Sequence, residues 1–193
     1  MSWVFSPLPP LSYECLAVDP PWPFDLYSNK GNRKSAAAHY RLMTHEQIRQ
    51  LPVGQLAQRN CLLLLWTPAP ALPEALSTMR AWGFVYKSNL IWRKVYPSGK
   101  VRMGTGYWAR SMHEQVLIGT IGRPTKLSAF PSCFDGIARE HSRKPEEFFS
   151  LIERHTDGLR RAEVFARVVR PGWDAWGDET GKFATGKGDA DGK

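Results

Sequence analysis

The 193-residue sequence predicts an α/β domain with a largely parallel central sheet flanked by helices, and three observations carry that expectation. Strand-like and helix-like segments alternate along the chain, the pattern of a sheet whose crossovers are helices. Residues 60–66 form an uninterrupted apolar run, as expected of a strand covered on both faces. A shorter apolar run at 13–18 ends abruptly in Asp19-Pro20-Pro21-Trp22, where the prolines stop the strand and force a turn.

The remaining elements follow in order. Thr44 is a good N-cap for a short helix through Leu51, which Pro52 ends. Residues 71–82 show helical spacing at Leu72, Leu76 and Met79, and Gly83 stops the helix. Residues 84–92 and 115–120 read as further strands. Pro145 opens a helix with Phe148, Phe149 and Ile152 on one face. Residues 162–169 read as a last strand, and Trp173, Asp174 and Trp176 as packing and turn residues. One domain over 1–180 is expected, followed by a flexible polar tail at 181–193. Sheets of this kind bind ligands outside the carboxyl ends of their strands, where Asp19 lies.

Composition narrows the function classes. The net charge is +8, which favours a polyanionic partner, nucleic acid before membrane. The longest apolar run is far too short to span a bilayer, and residues 1–10 carry no secretory pattern, so a cytoplasmic protein is expected. Cys15, Cys61 and Cys133 are widely spaced, do not have metal-ligand spacing and read as small buried hydrophobes; no metal is expected. A glycine-rich loop after the first strand is missing, which argues against a dinucleotide dehydrogenase.

Asp19-Pro20-Pro21-Trp22 carries the chemistry. An aromatic amine is a poor nucleophile because its lone pair is delocalised into the ring. A carboxylate and a backbone carbonyl that accept from its two N–H bonds favour a more tetrahedral, reactive nitrogen. Prolines stiffen the turn and aim its carbonyls, and Trp22 offers an aromatic face for a base. The acceptor must also lie in line with the methyl to be transferred, so positioning supplies much of the rate.

Several blocks recur here in one order: Asp19-Pro20-Pro21-Trp22; Leu64-Leu65-Trp66-Thr67; Gly104-Thr105-Gly106-Tyr107-Trp108 through His113-Glu114; Arg139-Glu140-His141-Ser142-Arg143-Lys144-Pro145; and Glu163-Val164-Phe165-Ala166-Arg167 followed by Gly172-Trp173-Asp174-Ala175-Trp176-Gly177. In these blocks the sequence resembles the adenine-N6 methyltransferases of the MT-A70 family, typified by the catalytic subunit of the eukaryotic messenger-RNA adenosine methylation complex. The compact chain is similar to bacterial or phage members. The resemblance implies a Rossmann-like S-adenosylmethionine-dependent fold with circularly ordered motifs, the catalytic turn first and the donor-binding strand last. It implies S-adenosylmethionine as methyl donor and adenine in nucleic acid as acceptor. Asp19 and Pro20 would hold the target amine, with Pro21 and Trp22 shaping the base pocket and Tyr40 over the acceptor. Lys144 would lie near donor and base, and Glu114 close to the acceptor. Arg167, Asp178 and Glu179 would contact the donor ribose, and Glu163 would approach its ammonium; Asp19 borders the donor as well. At 178–179 the family has amides where this chain has carboxylates, which also accept from ribose hydroxyls. Few residues precede Asp19, so the adenine end of the donor is expected to pack on Phe5 or Leu8.

From Lys87 to Arg110 the sequence carries six basic residues and no acidic one: Lys87, Arg93, Lys94, Lys100, Arg102 and Arg110, interleaved with Tyr96, Tyr107 and Trp108. Cations for phosphates and rings for bases make this a candidate nucleic-acid surface, with Lys94, Lys100, Arg102, Tyr107 and Trp108 as contacts. Lys30, Arg33, Lys34 and Arg41 form a second basic stretch, within a long loop at 24–43 that could close over a flipped base. DNA is the favoured polymer, RNA the alternative, and a homodimer would enlarge the grip on a duplex. A silent scaffold is disfavoured because Asp19 and Trp22 are both retained; methylation of the cytosine amine would need the same chemistry, and the wider blocks favour adenine.

Overall fold

The computed structural model describes residues 2–23, 42–106, 108–124, 128–140 and 143–181. Its elements are β1 (Tyr13–Val18), α1 (His45–Arg49), β2 (Ala57–Thr67), α2 (Leu72–Ala81), β3 (Val85–Val95), β4 (His113–Ile121), β5 (Cys133–Ile137), α3 (Glu146–His155), β6 (Arg161–Val164) and β7 (Trp173–Trp176). The strands form one sheet in the order β5-β3-β4-β2-β1-β6-β7.

The sheet is mixed, which corrects the expectation of a largely parallel one. β1 runs parallel to β2 and β6, β6 to β7, and β3 to β5, but β4 is antiparallel to both β2 and β3. The reason is local. α2 carries the chain from β2 to β3, whereas β3 leaves through an extended excursion, bridged at Val95 and Val101, that folds back into β4. A chain that doubles back pairs antiparallel. The reversal puts the start of β4 at the end of the sheet where β1, β2, β3 and β6 finish.

Both faces are covered, which explains the apolar runs. Leu16, Val18, Leu63 and Leu65 join Ile48 of α1 and Ala75 and Met79 of α2 in one core. Cys15, Ala17, Leu62, Leu64 and Trp66 join Phe148, Phe149 and Ile152 of α3 in the other. α1 begins with a capping box, Thr44 Oγ1 accepting from Gln47 N–H at 3.1 Å and Gln47 Oε1 from Thr44 N–H at 2.8 Å. α2 ends at Gly83, whose φ of 86° continues the chain in the left-handed region. β6 stops at Val164, short of the expected 169, because Phe165 takes φ 65°. β5 and β7 were not foreseen, and Cys133, at the head of β5, is exposed rather than buried. Among the described residues no helix is long and apolar enough to cross a membrane.

Candidate active site

Side-chain alternation decides which residues can meet. On β1, Cys15 and Ala17 face α3, so Asp19, two residues on, continues that face at the strand's carboxyl end. On β6, Ala162 and Val164 face the other core, which turns Glu163 toward α3 beside its partner Ala17. On β3 and β4, Trp92 and Val116 face α3, and Glu114 lies directly opposite Trp92. Lys144 comes from the segment that leads through Pro145 into α3. The same face and the same sheet end therefore gather Asp19, Glu114, Glu163 and Lys144.

They form a chain of charges. Lys144 Nζ lies 3.2 Å from Asp19 Oδ1 and 3.0 Å from Glu114 Oε2, and 4.6 Å from the centre of the Trp66 ring. Glu114 Oε1 accepts from Lys94 Nζ at 2.6 Å. Burial pushes the Asp19 carboxyl above the usual range, against the pull of Lys144 and Arg167. Burial also acts on Glu114, but the ammonium groups of Lys144 and Lys94 outweigh it and hold that carboxyl at about 2. Burial opposes the charge of Lys144 too, and the two carboxylates overcome it, so its pKa is raised. Lys144 is thus no solvated lysine: its side chain is 12% exposed.

The turn is held from beneath. Trp22 N–H donates to Pro20 O at 2.8 Å, Asp19 N–H to Val164 O at 3.3 Å, and Met43 N–H to Pro21 O at 3.2 Å. The Trp22 indole donates to Trp66 O at 2.9 Å, and the ring is 2% exposed within the first core. The stacking face expected of Trp22 is therefore taken up by core packing, and the residue braces the turn.

Beside the turn lies a cavity of about 700 Å³. Asp19, Pro21, Arg167, Asp178 and Glu179 line it, facing Val4, Gln47, Gln50, Leu51 and Pro52. Arg167 Nε sits 3.6 Å from Glu179 Oε2. Phe5 and Leu8, expected against the donor adenine, are instead buried in the first core; α1 and the turn after it form that wall. A small recess adjoins Asp19 as well, lined by Glu163, Arg143 and Arg170. Burial raises Glu163 to about 7, partly opposed by Arg170 at 3.7 Å, and Glu163 Oε2 is buried without a hydrogen-bond partner among the described residues. Arg170 also pairs with Glu146 and stacks on Phe149 at 3.5 Å. The sequence reading missed Arg143 and Arg170; their only signal was proximity to Lys144 and to β6.

The expected nucleic-acid contacts divide. Lys94 is engaged by Glu114, and Arg102 donates to the carbonyls of Ala138 and Arg139 at 3.2 and 3.4 Å. Arg93 pairs with Asp135 and Arg110 donates to Gly104 O at 3.0 Å. Lys100, in the turn of the 96–101 excursion, is exposed, as is Trp108 at 94%. Tyr40, Tyr107, the second basic stretch and the loop at 24–41 lie outside the described residues, as do His141 and Ser142.

The chain is 30% identical over 86% of its length to the N(6)-adenosine-methyltransferase MT-A70-like protein of Drosophila melanogaster, of which the match covers 27%. It is 28% identical over 86% of its length to the human N(6)-adenosine-methyltransferase catalytic subunit METTL3, of which the match covers 28%. It is 27% identical over 91% of its length to the Type II methyltransferase M.MunI of Mycoplasma sp, of which the match covers 81%. The chain thus spans about a quarter of its eukaryotic relatives and most of the Mycoplasma one. The MT-A70 family pattern matches residues 13–179, from the first residue of β1 to the second carboxylate of the Asp178-Glu179 pair, and the chain belongs to the MT-A70 family of methyltransferases.

Proposed function

We propose that this protein transfers a methyl group from S-adenosylmethionine to the exocyclic N6 amine of adenine in nucleic acid, with DNA as the favoured polymer. The observation that carries the reading is a buried carboxylate on a stiff Asp-Pro-Pro-Trp turn, held by Lys144 at one oxygen and bordering a ligand-sized cavity. The 27% identity to the Mycoplasma Type II methyltransferase over 91% of the chain supports DNA. Similarity to the human METTL3 subunit supports RNA as the second reading.

The residues present fit the donor. The cavity has room for a nucleoside, with Asp178 and Glu179 as acceptors for ribose hydroxyls and Arg167 beside them. Glu163 Oε2, which makes no hydrogen bond among the described residues and has Arg170 Nε at 3.7 Å, suits an ammonium group. The purine end then lies toward Val4, Gln50, Leu51 and Pro52. When bound, the donor supplies an electrophilic methyl on a sulfonium.

The chain's own residues do the rest. Lys144 engages Asp19 Oδ1, which leaves Oδ2 to accept one N–H of the target amine. The Pro20 carbonyl, oriented by the Trp22 N–H, has a second lone pair for the other. Together they favour a tetrahedral nitrogen with its lone pair on the donor side. Once the nitrogen is methylated it must shed a proton, and Asp19, whose affinity for protons burial has raised, is the nearest acceptor. Lys144 and Arg167 oppose that shift and favour the ionised form that accepts from the amine.

The test is transfer of labelled methyl from S-adenosylmethionine to duplex DNA, single-stranded DNA and RNA, followed by nucleoside analysis. Labelled N6-methyladenine in one polymer is expected and names the substrate; label on cytosine, or donor binding without transfer, overturns the reading. Asp19→Asn should lower transfer by at least about 10²-fold. Its donor binding and Tm should hold or rise: the folded pKa of Asp19 is raised, so the ionised form opposes stability above that pKa, and the amide removes the opposition. Unfolding of Asp19→Asn would make the residue structural instead.

A further inference from the structure

We propose that Lys94 is a positioning residue for the catalytic turn: by holding one oxygen of Glu114 it fixes how Lys144 sits on Asp19, and it does not contact nucleic-acid phosphate. The inference rests on the methyl-transfer reading above for its kinetic consequence, though not for its geometry.

Sheet register places Lys94 where a phosphate contact would not be. It lies two residues beyond Trp92 on the same pleat face, and Trp92 opposes Glu114, so Lys94 is the diagonal cross-strand neighbour of Glu114. Its ammonium is 2.6 Å from Glu114 Oε1 and 5.0 Å from the centre of the Trp92 ring, and its side chain is 21% exposed. Arg93, next to it, points to the opposite face, is half-exposed and pairs with Asp135. The contrast between neighbours shows that the basic stretch is not one surface.

The charges alternate as Lys94, Glu114, Lys144, Asp19, and sum to zero. Without Lys94, two carboxylates share one ammonium. Glu114 Oε1 is then released, so both its oxygens compete for Lys144, and its negative charge acts on Asp19 uncompensated. Both effects make Asp19 hold its proton to higher pH. The other charges around Asp19 stay in place: Glu163 on β6, Arg167 and Arg170 after it, Arg143 beside Lys144, and Asp178 and Glu179 on the cavity wall.

The experiment uses the full chain and an adenine-containing oligonucleotide at saturating donor. It compares wild type with Lys94→Met, Lys94→Arg and the double variant Lys94→Met/Glu114→Gln. Lys94→Met should move the acid limb of kcat to higher pH by about one unit, which is about tenfold in rate on that limb. Its KM for the oligonucleotide and the salt dependence of binding should not change. Lys94→Arg should keep the limb in place, and the double variant, neutral again, should bring it back. An unmoved limb with a shallower salt slope would make Lys94 a phosphate contact and overturn the proposal. So would equal losses of kcat and Tm in both single variants. If wild type methylates no adenine, the functional reading fails, and carboxyl 13C titration of Asp19 then decides the positioning role by itself. The Asp19 signal is the one absent from Asp19→Asn; a higher midpoint in Lys94→Met supports the role and an unchanged midpoint ends it.

Discussion

Glu163 and Asp19 sit at neighbouring strands of one buried face; burial raises both carboxyls, and the charge of Asp19 raises Glu163 further. Asp19 has Lys144 at hydrogen-bond distance; among the described residues Glu163 pairs with Arg170 alone, at 3.7 Å, and Arg170 is shared with Glu146. Glu163 therefore titrates near 7, where Asp19, Glu146, Arg170 and Lys144 all bear on it. The sign follows from the direction of the shift: the carboxyl is neutral below about 7 and ionised above it. If it receives the donor ammonium, donor affinity should strengthen as pH rises from 6 to 7.5 and fall by up to about tenfold per unit below 7. Calorimetric titration of the donor across that range checks this, and Glu163→Gln should give a weaker, flat profile. A wild-type affinity that ignores pH there would leave Glu163 as a partner of Arg170 alone. Neither the pairing nor the raised pKa was legible in the sequence, because both depend on which cations come near, and Arg170 lies seven residues beyond Glu163 in the chain.

Element by element, the legible part of the fold is the part set by local pattern. The Thr44 cap, the Gly83 stop, the Pro145 start and the runs of β1 and β2 were all visible, since each depends on neighbours in sequence. β3 and β4 extend past their apolar cores to carry Lys94 and Glu114, because ladder pairing, not hydrophobicity, holds those ends. β5 and β7 are short and gain their character from the partner strand alone. β5 shows what such an element contributes. The Gly136 carbonyl accepts from the Trp92 indole at 2.8 Å, and a Cβ on Gly136 would come within 2.6 Å of that nitrogen and 2.8 Å of Pro145 Cβ. Gly136 thus lets β5 seat the segment that delivers Lys144. Gly136→Ala should destabilise by about 1–3 kcal/mol in urea unfolding, as overpacking does. Unchanged stability would mean that Pro145 yields freely and does not fix Lys144.

At the scale of the whole molecule, a net charge of +8 suggested a broad nucleic-acid surface, yet the fold consumes much of it. Arg93, Lys94, Arg102 and Arg110 are all bound to groups of this chain, so the basic stretch between 87 and 110 exposes fewer cations than its composition promises. Sequence shows how many charges there are; only the sheet register shows which are neutralised. What protrudes is the excursion between β3 and β4, with Lys100 in its turn and Trp108 almost wholly exposed. Because β4 is reversed, this excursion leaves from the end of the sheet that holds Asp19. A cation there should act as a phosphate contact and a ring as a stacking platform. Lys100→Ala should weaken oligonucleotide binding and reduce the slope of log affinity against log salt by about one. Trp108→Ala should weaken binding by about 1–3 kcal/mol with the slope intact, since stacking releases no counterions. Fluorescence anisotropy at several salt concentrations separates the two. If neither substitution changes affinity while Asp19→Asn still abolishes transfer, the excursion lies outside the footprint, and the polymer must be gripped by the cavity rim or by the basic residues between 30 and 41.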